Sequence, residues 1–391
     1  MAKFSLLITL FAALATPLIL ARFRITRVPG AVSEIIMGII IGKTGLNLVQ
    51  PDMTLKYLAN LGVIMLIFLG GMEINFSLLE PQKNKIKSKV KESSPLGIAS
   101  LGFFSILILS LALSGILYVT GIFDDFILAT ILFCTIAMGV LISLLKETGL
   151  LDKEYGQTIL LTAVLGEFIP LVALTIYSAV KQRSYIQAFG LPVIFLIAIF
   201  LLRRFKPVFA FFEQIDKSTT QLDIRLAFFL IFALVTFAEQ IGAESILGAF
   251  LAGAVMKLLQ PKEETMDKLS SMGYGFFIPI FFIVTGVNLD LRSLFANPKA
   301  LILIPVFLIA FFISKAIVYV VFKHRFGHRL ALAAAVLTAT TITLVLPILE
   351  VGKSLELITE TQAGAITLAA IITCLVCPTL FNKIIDSKRA S

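Results

Sequence analysis

The stretch Phe68-Leu-Gly-Gly71-Met-Glu73-Ile-Asn75-Phe-Ser-Leu-Leu79 is echoed 215 residues later by Ile283-Val-Thr-Gly286-Val-Asn288-Leu-Asp290-Leu-Arg-Ser-Leu294. Gly38 meets Gly253 at the same offset. Glycine and leucine are common in this chain, so either match alone would carry little. Two matches in one register, both on apolar segments, point to a chain built from two related halves.

Around these stretches the 391-residue chain is 58% hydrophobic and only 15% charged, with a mean hydropathy of +1.00. A soluble globular domain carries about a quarter charged residues. The balance excludes a soluble enzyme, a disordered chain and a secreted disulfide scaffold, and leaves an all-α polytopic membrane protein. With 34 Phe and no Trp, the depth of the chain in the bilayer is set by Phe, Tyr, Lys and Arg. Cys134, Cys374 and Cys377 sit in apolar segments with no His nearby, and read as small buried hydrophobes.

A spanning helix needs about 20 apolar residues. The apolar runs between charge clusters predict thirteen transmembrane helices: 4–21, 29–48, 58–79, 95–119, 126–145, 155–180, 187–202, 223–238, 244–259, 272–288, 298–322, 328–349 and 360–382. The connections are short, and the tail after the last span has no room for a nucleotide-binding regulator. Alternate loops hold 23 and 8 Lys or Arg. Positive residues stay inside, which places the N-terminus outside and the C-terminus in the cytoplasm of an inner (cell) membrane. The basic run at 83–91 reads as a solvated inner loop facing anionic lipid. The +9 net charge therefore calls for membrane lipid as a partner and for no nucleic acid. The first span has three Arg after it and no small-residue cleavage pattern, so it reads as a retained helix.

At the 215-residue offset, spans 1–6 correspond to spans 8–13, with inverted repeats at about 4–180 and 223–382 joined by a linker helix at 187–202. Span 1 runs inward and span 8 outward, an inverted arrangement that recurs in secondary transporters. Such folds place their site at mid-membrane, on helices that break. Spans 5 and 12 are the places to look. Span 5 holds Cys134-Thr135-Ile-Ala-Met-Gly139. Span 12 holds Thr338, Thr340, Thr341 and Thr343 ahead of Pro347, which cannot bond the carbonyl four residues before it. The competing reading of each Thr is a hydroxyl bonded back to its own helix.

Ionisable groups in hydrocarbon mark function by default, since each costs about 3 kcal/mol on insertion scales. Glu167 lies at the centre of span 6, within Thr162-Ala-Val-Leu-Gly166-Glu167-Phe-Ile-Pro170. Pro170 deprives the Gly166 carbonyl of its helical partner. A carboxylate beside a free carbonyl is a seat for a hard cation, and protons would compete for the same carboxylate. Lys315 in span 11 is either a charge partner for Glu167 or a side chain snorkelling to the interface. Thr162, Glu34 and Glu73 are candidate cavity-lining residues. No nucleophile–base pair, phosphate loop or metal cluster appears, so neither an enzyme nor a cofactor is expected.

Several motifs accumulate in order: Gly38-x-x-x-Gly42 with Gly45-Leu46, Leu61 through Glu73, Gly139 with Leu145 and Gly149-Leu-Leu, Gly156, Leu247-Gly-Ala-Phe-Leu-Ala-Gly253, and Phe281-Phe-Ile-Val-Thr-Gly286 before Leu289-Asp-Leu. In this the chain resembles the monovalent cation:proton antiporter-2 family of the cation:proton antiporter superfamily. The resemblance implies a homodimer with a NhaA-like fold and broken, crossing helices in spans 5 and 12. It implies a dimerisation part at about 1–79 and 223–288, and a core at about 95–180 and 298–382 that moves as an elevator. It implies antiport of Na⁺ or K⁺ against H⁺, with the monovalent cation at Glu167.

The chain departs from the family pattern in two places. Gly166 stands where the family has the first residue of a polar–acid pair, and Ile136-Ala137 align with its Thr-Ser pair. One carboxylate can hold one cation or one proton, so electroneutral exchange is expected. The alternatives are an ion-coupled transporter of an organic solute, which the less polar site favours, and a membrane sensor that has lost transport.

Overall fold

The computed structural model of the chain describes residues 2–23, 28–73, 95–181, 200, 221–240 and 245–386. Every regular element among them is helical. Seven helices are long and apolar enough to cross a bilayer, and further apolar helices are shorter. The expected linker helix at 187–202, the basic run at 83–91 and the end of the first repeated stretch lie almost wholly outside the described residues.

The described residues form two compact units. The first contains α1 (Ala2–Arg22), α2 (Gly30–Ile41) and α3 (Met53–Glu73), then α8 (Leu222–Gln240), α9 (Ser245–Leu258), α10 (Glu263–Met272), the π-helical turn Gly273–Phe277 and α11 (Ile278–Asn288). The second contains α4 (Pro95–Val119), α5 (Phe126–Phe133), α6 (Met138–Glu147) and most of α7 (Glu154–Lys181). It continues with α12 (Leu291–Ala296), α13 (Pro298–Thr338), α14 (Val345–Ser354) and α15 (Glu360–Asp386).

The first unit is held by backbone-to-backbone approach. A methyl on Gly38 would lie 2.1 Å from the Ile283 carbonyl oxygen, and one on Gly286 would lie 2.1 Å from that of Ile35. Between α3 and α9, a methyl on Gly71 would lie 2.3 Å from the Phe250 oxygen, and one on Gly253 would lie 2.0 Å from that of Phe68. Without a hydrophobic drive between helices in lipid, such small-residue contacts are what let helices pack. The two crossings are reciprocal in the sequence register: Gly38 and Gly253 correspond at the 215-residue offset, and so do Gly71 and Gly286. Burial follows the same logic. Helix α9 is apolar and buried almost all round, whereas Phe4, Leu7, Phe11, Leu14 and Leu18 form an exposed stripe on α1, suited to lipid.

In the second unit α4 packs on α5 and α13, and α13 packs on α15. Helix ends differ in places from the sequence reading. Helix α2 stops at Ile41 rather than 48, because the chain turns through Gly42 to Gly45. The helical geometry breaks at Gly327, where φ is +78°, between the runs expected at 298–322 and 328–349. Span 12, where the sequence reading expects a break, is interrupted between Thr338 and Val345.

Candidate functional site: a carboxylate at two broken helices

Helix α5 is started by Asp125, whose Oδ1 accepts the Leu128 N–H at 2.9 Å. It ends at Phe133, and α6 begins at Met138, so Cys134–Ala137 form an interruption inside an apolar segment. A helix start leaves its first N–H groups without helical acceptors. Here three successive N–H groups find three different partners. Ile136 donates to the Gly166 carbonyl at 3.2 Å and Ala137 to the Thr340 carbonyl at 2.9 Å. Met138 donates to Glu167 Oε1 at 3.2 Å. The second interruption, Ala339–Leu344, is thereby bonded to the first. Pro347 falls in the first turn of α14, where its missing N–H is not needed.

Glu167 stands where these elements meet. Its Oε1 also accepts the Thr343 hydroxyl at 2.9 Å. Both bonds go to one oxygen, and Oε2 has no donor among the described residues. Glu167 as a whole residue is 9% exposed, as is Thr343. Its position at the start of α6 sets a negative charge against the positive end of a helix, worth about 0.3–1 kcal/mol and up to about 2 when partly buried.

Two sequence expectations are corrected here. The Gly166 carbonyl, left without a helical donor by Pro170, is not free: the Ile136 N–H occupies it. Lys315 does not pair with Glu167. Its Nζ donates to the Phe133 carbonyl at 2.6 Å and lies 5.2 Å from the centre of the Phe311 ring, with no solvent exposure. The ammonium thus caps the negative end of α5 while the carboxylate caps the positive end of α6.

The threonines divide. Thr343 reaches Glu167. Thr135 and Thr341 bond each other at 2.7 Å, joining the two interruptions, and Thr135 also donates to the Leu132 carbonyl at 2.8 Å. Thr338 and Thr162 donate to their own helices, to Ala334 at 2.9 Å and Thr158 at 2.9 Å, as the competing reading had it. The Thr340 hydroxyl is buried, and among the described residues the group that faces it is the Cys377 thiol. Glu34 belongs to the first unit, half-buried on α2. Glu73 ends α3, and its side chain lies outside the described residues. Sequence reasoning missed Thr373 on α15. Its hydroxyl lies 3.3 Å from the Thr341 N–H and 3.4 Å from the Thr341 carbonyl, bracing the second interruption.

Chemically, the arrangement offers one carboxylate oxygen held by two donors and one open to a cation or a proton. Comparisons with known proteins bear on the family and the fold. The profile of the family described as "Sodium/hydrogen exchanger, transmembrane" matches residues 7–385. The chain is 38% identical over 386 residues to "Putative Na(+)/H(+) antiporter YjbQ" of Bacillus subtilis (strain 168), covering 97% of this chain but only 62% of that longer protein. It is 29% identical over 385 residues to "Probable Na(+)/H(+) antiporter 3" of Methanocaldococcus jannaschii, covering 95% of this chain and 94% of the relative. In fold it is similar to the solved structure of the sodium proton antiporter MjNhaP1 from Methanocaldococcus jannaschii at pH 8, with a TM-score of 0.62 at 13% identity over 99% of this chain and 97% of the other.

Proposed function

The chain belongs to the sodium/hydrogen exchanger family of multi-pass membrane proteins, and on that premise we infer that it is a secondary antiporter exchanging Na⁺ or K⁺ for H⁺ at Glu167. The observation that carries this reading is the half-committed carboxylate: Oε1 held by Met138 and Thr343, Oε2 open, at the junction of two broken helices. A cation and a proton compete for that open oxygen, which couples their movements without a second binding group. Gly166 contributes its carbonyl through the Ile136 bond, and Thr135 and Thr341 hold the junction closed beside the site.

On this reading the chain sits in the antiporter-2 branch and works as a homodimer in the inner membrane. The N-terminus is outside and the C-terminus cytoplasmic, a topology that the 23-to-8 distribution of basic residues supports. The first unit supplies the dimer contact, and the second carries Glu167 across as an elevator. The reciprocal glycine crossings support two inverted repeats as the framework. With one carboxylate in the site, each cycle exchanges one cation for one proton and is electroneutral.

The test is a cation screen in proteoliposomes with a pH-sensitive dye, comparing wild type with Glu167→Ala. Cation-dependent proton movement in the wild type, absent in the variant, is the expected result. Proton movement that survives in Glu167→Ala would remove Glu167 from the mechanism.

A further inference from the structure

Ile136 does more than donate its N–H to Gly166. Its side chain, 1% exposed, lies over the Cα of that glycine. A methyl built on Gly166 would stand 2.7 Å from Ile136 Cδ1, 2.7 Å from Cγ1 and 3.0 Å from Cβ. Rotating the end of the isoleucine cannot relieve all three contacts, because Cβ is fixed to the backbone and a β-branched side chain has few χ1 choices. Residues 136–138 are thus keyed to 166–167 three times: N–H to carbonyl, side chain onto a bare Cα, and N–H to carboxylate. Nothing in the local sequence of α7 requires a glycine at 166, which sits in mid-helix, where glycine is disfavoured by about 1 kcal/mol relative to alanine.

We propose that Ile136 and Gly166 are a positioning pair, a knob and its socket, that fixes where the Glu167 carboxylate stands relative to the start of α6 and so sets the cation affinity of the site. The inference rests on the antiport reading. Glu167 is the next residue after the socket, and Met138 lies two residues after the knob. Any change in the separation of Ile136 and Gly166 therefore shifts the carboxylate against its own donor. Neither residue needs to touch the cation, and both act through Glu167.

The test is a size swap in proteoliposomes, reading apparent cation affinity and its pH profile. Gly166→Ala alone places a methyl into the knob and should weaken apparent affinity about tenfold or more, since a misplacement near 1 Å costs up to about a hundredfold. Ile136→Ala/Gly166→Ala returns the lost volume and should recover most of that loss. Ile136→Val keeps Cβ and both γ carbons, losing only Cδ1, and should stay near wild type. Ile136→Ala alone empties the knob without a clash and should shift the pH midpoint of exchange, which a loss of folded protein alone would not do. Wild-type affinity in Gly166→Ala, or a double variant no better than Gly166→Ala, overturns the pairing. If Gly166→Ala does not fold, an unmoved affinity and pH midpoint in Ile136→Ala overturn it instead. A wild type that exchanges no cation overturns the antiport reading first, and the positioning role with it.

Discussion

Lys315 and Glu167 occupy the two inner ends of one helix interruption, and the protein treats them differently. Lys315 is sealed, with no exposure, and spends a proton on the Phe133 carbonyl at the negative end of α5. Glu167 sits at the positive end of α6, keeps 9% of its surface, and leaves one oxygen without a donor. Both charges offset the half-helix beside them, so both make the interruption tolerable in hydrocarbon. Only one has a coordination position to exchange. A buried charge with an open lone pair can change ligands, whereas one whose bonds are already made to the backbone is built to stay. On the antiport reading, the difference supports Glu167 as the exchanging group and Lys315 as a structural one.

The largest effect should come from breaking the exchanging end. Glu167→Gln keeps the shape and an acceptor oxygen toward Met138 and Thr343, but removes the charge that a cation and a proton share. Cation-dependent proton movement should fall to the level of empty liposomes while folded protein persists in the membrane, measured by dye quenching beside size-exclusion profiles. Next in size is the pH response of the intact site. A proton on the carboxylate excludes the cation, so apparent affinity must weaken as pH falls, by about tenfold per unit on the acid side of the site's titration. Affinity measured between pH 6 and 8.5 that does not move would rule out a shared carboxylate.

The contrast between the two charges was only half legible in the sequence. Apolar runs located the helices well: α4 begins and ends where the run at 95–119 does, and α7 is within a residue of 155–180. Glu167 stood out because a carboxylate in mid-span has no cheap structural explanation, and Pro170 marked the carbonyl that a neighbour would take. The interruption at Cys134–Ala137 has no local signal, since the stretch contains neither proline nor glycine. Only the second-half Thr–Pro pattern and the family resemblance pointed to it. The expected Lys315–Glu167 ion pair failed for a related reason. Charge complementarity between side chains is visible in a sequence, but the partial charges of helix ends exist only once the helices have broken, and those ends took both ions. Gly166 and Ile136 each looked like a lost polar residue. Their mutual fit is a tertiary fact.

Breaking the sealed end should hurt stability more than chemistry. Lys315→Met fills a similar volume without the charge, leaving the Phe133 carbonyl unpaired, which costs about 1–3 kcal/mol. The detergent-solubilised protein should melt several degrees lower, while electroneutral exchange continues at reduced rate. On a solid-supported membrane the wild type should show no sustained cation-dependent current. A sustained current that disappears in Lys315→Gln would place a second proton on Lys315 and erase the division of labour between the two charges. One that persists in Lys315→Gln would show the single-carboxylate count to be wrong.

The smallest effects test how far the exchanging end extends. Thr343 and Thr338 are five residues apart in the same span and both buried, yet their hydroxyls go to different places. Thr343 donates to Glu167 Oε1 at 2.9 Å, while Thr338 donates to the Ala334 carbonyl within its own helix. Thr→Val preserves shape at both sites and removes only the hydroxyl. At Thr343 it deletes one of two hydrogen bonds that hold the carboxylate, and a bond to a charged group is worth about 1.5–3 kcal/mol. Part of that loss falls equally on the cation-bound and protonated forms. Apparent cation affinity should therefore change by several-fold rather than a thousandfold, with exchange retained. At Thr338 the hydroxyl deleted serves a carbonyl that already belongs to the helix ladder, so affinity and pH midpoint should stay at wild-type values. Equal effects of the two substitutions in a side-by-side titration would mean that hydroxyl content near the break matters and the Thr343–Glu167 bond does not.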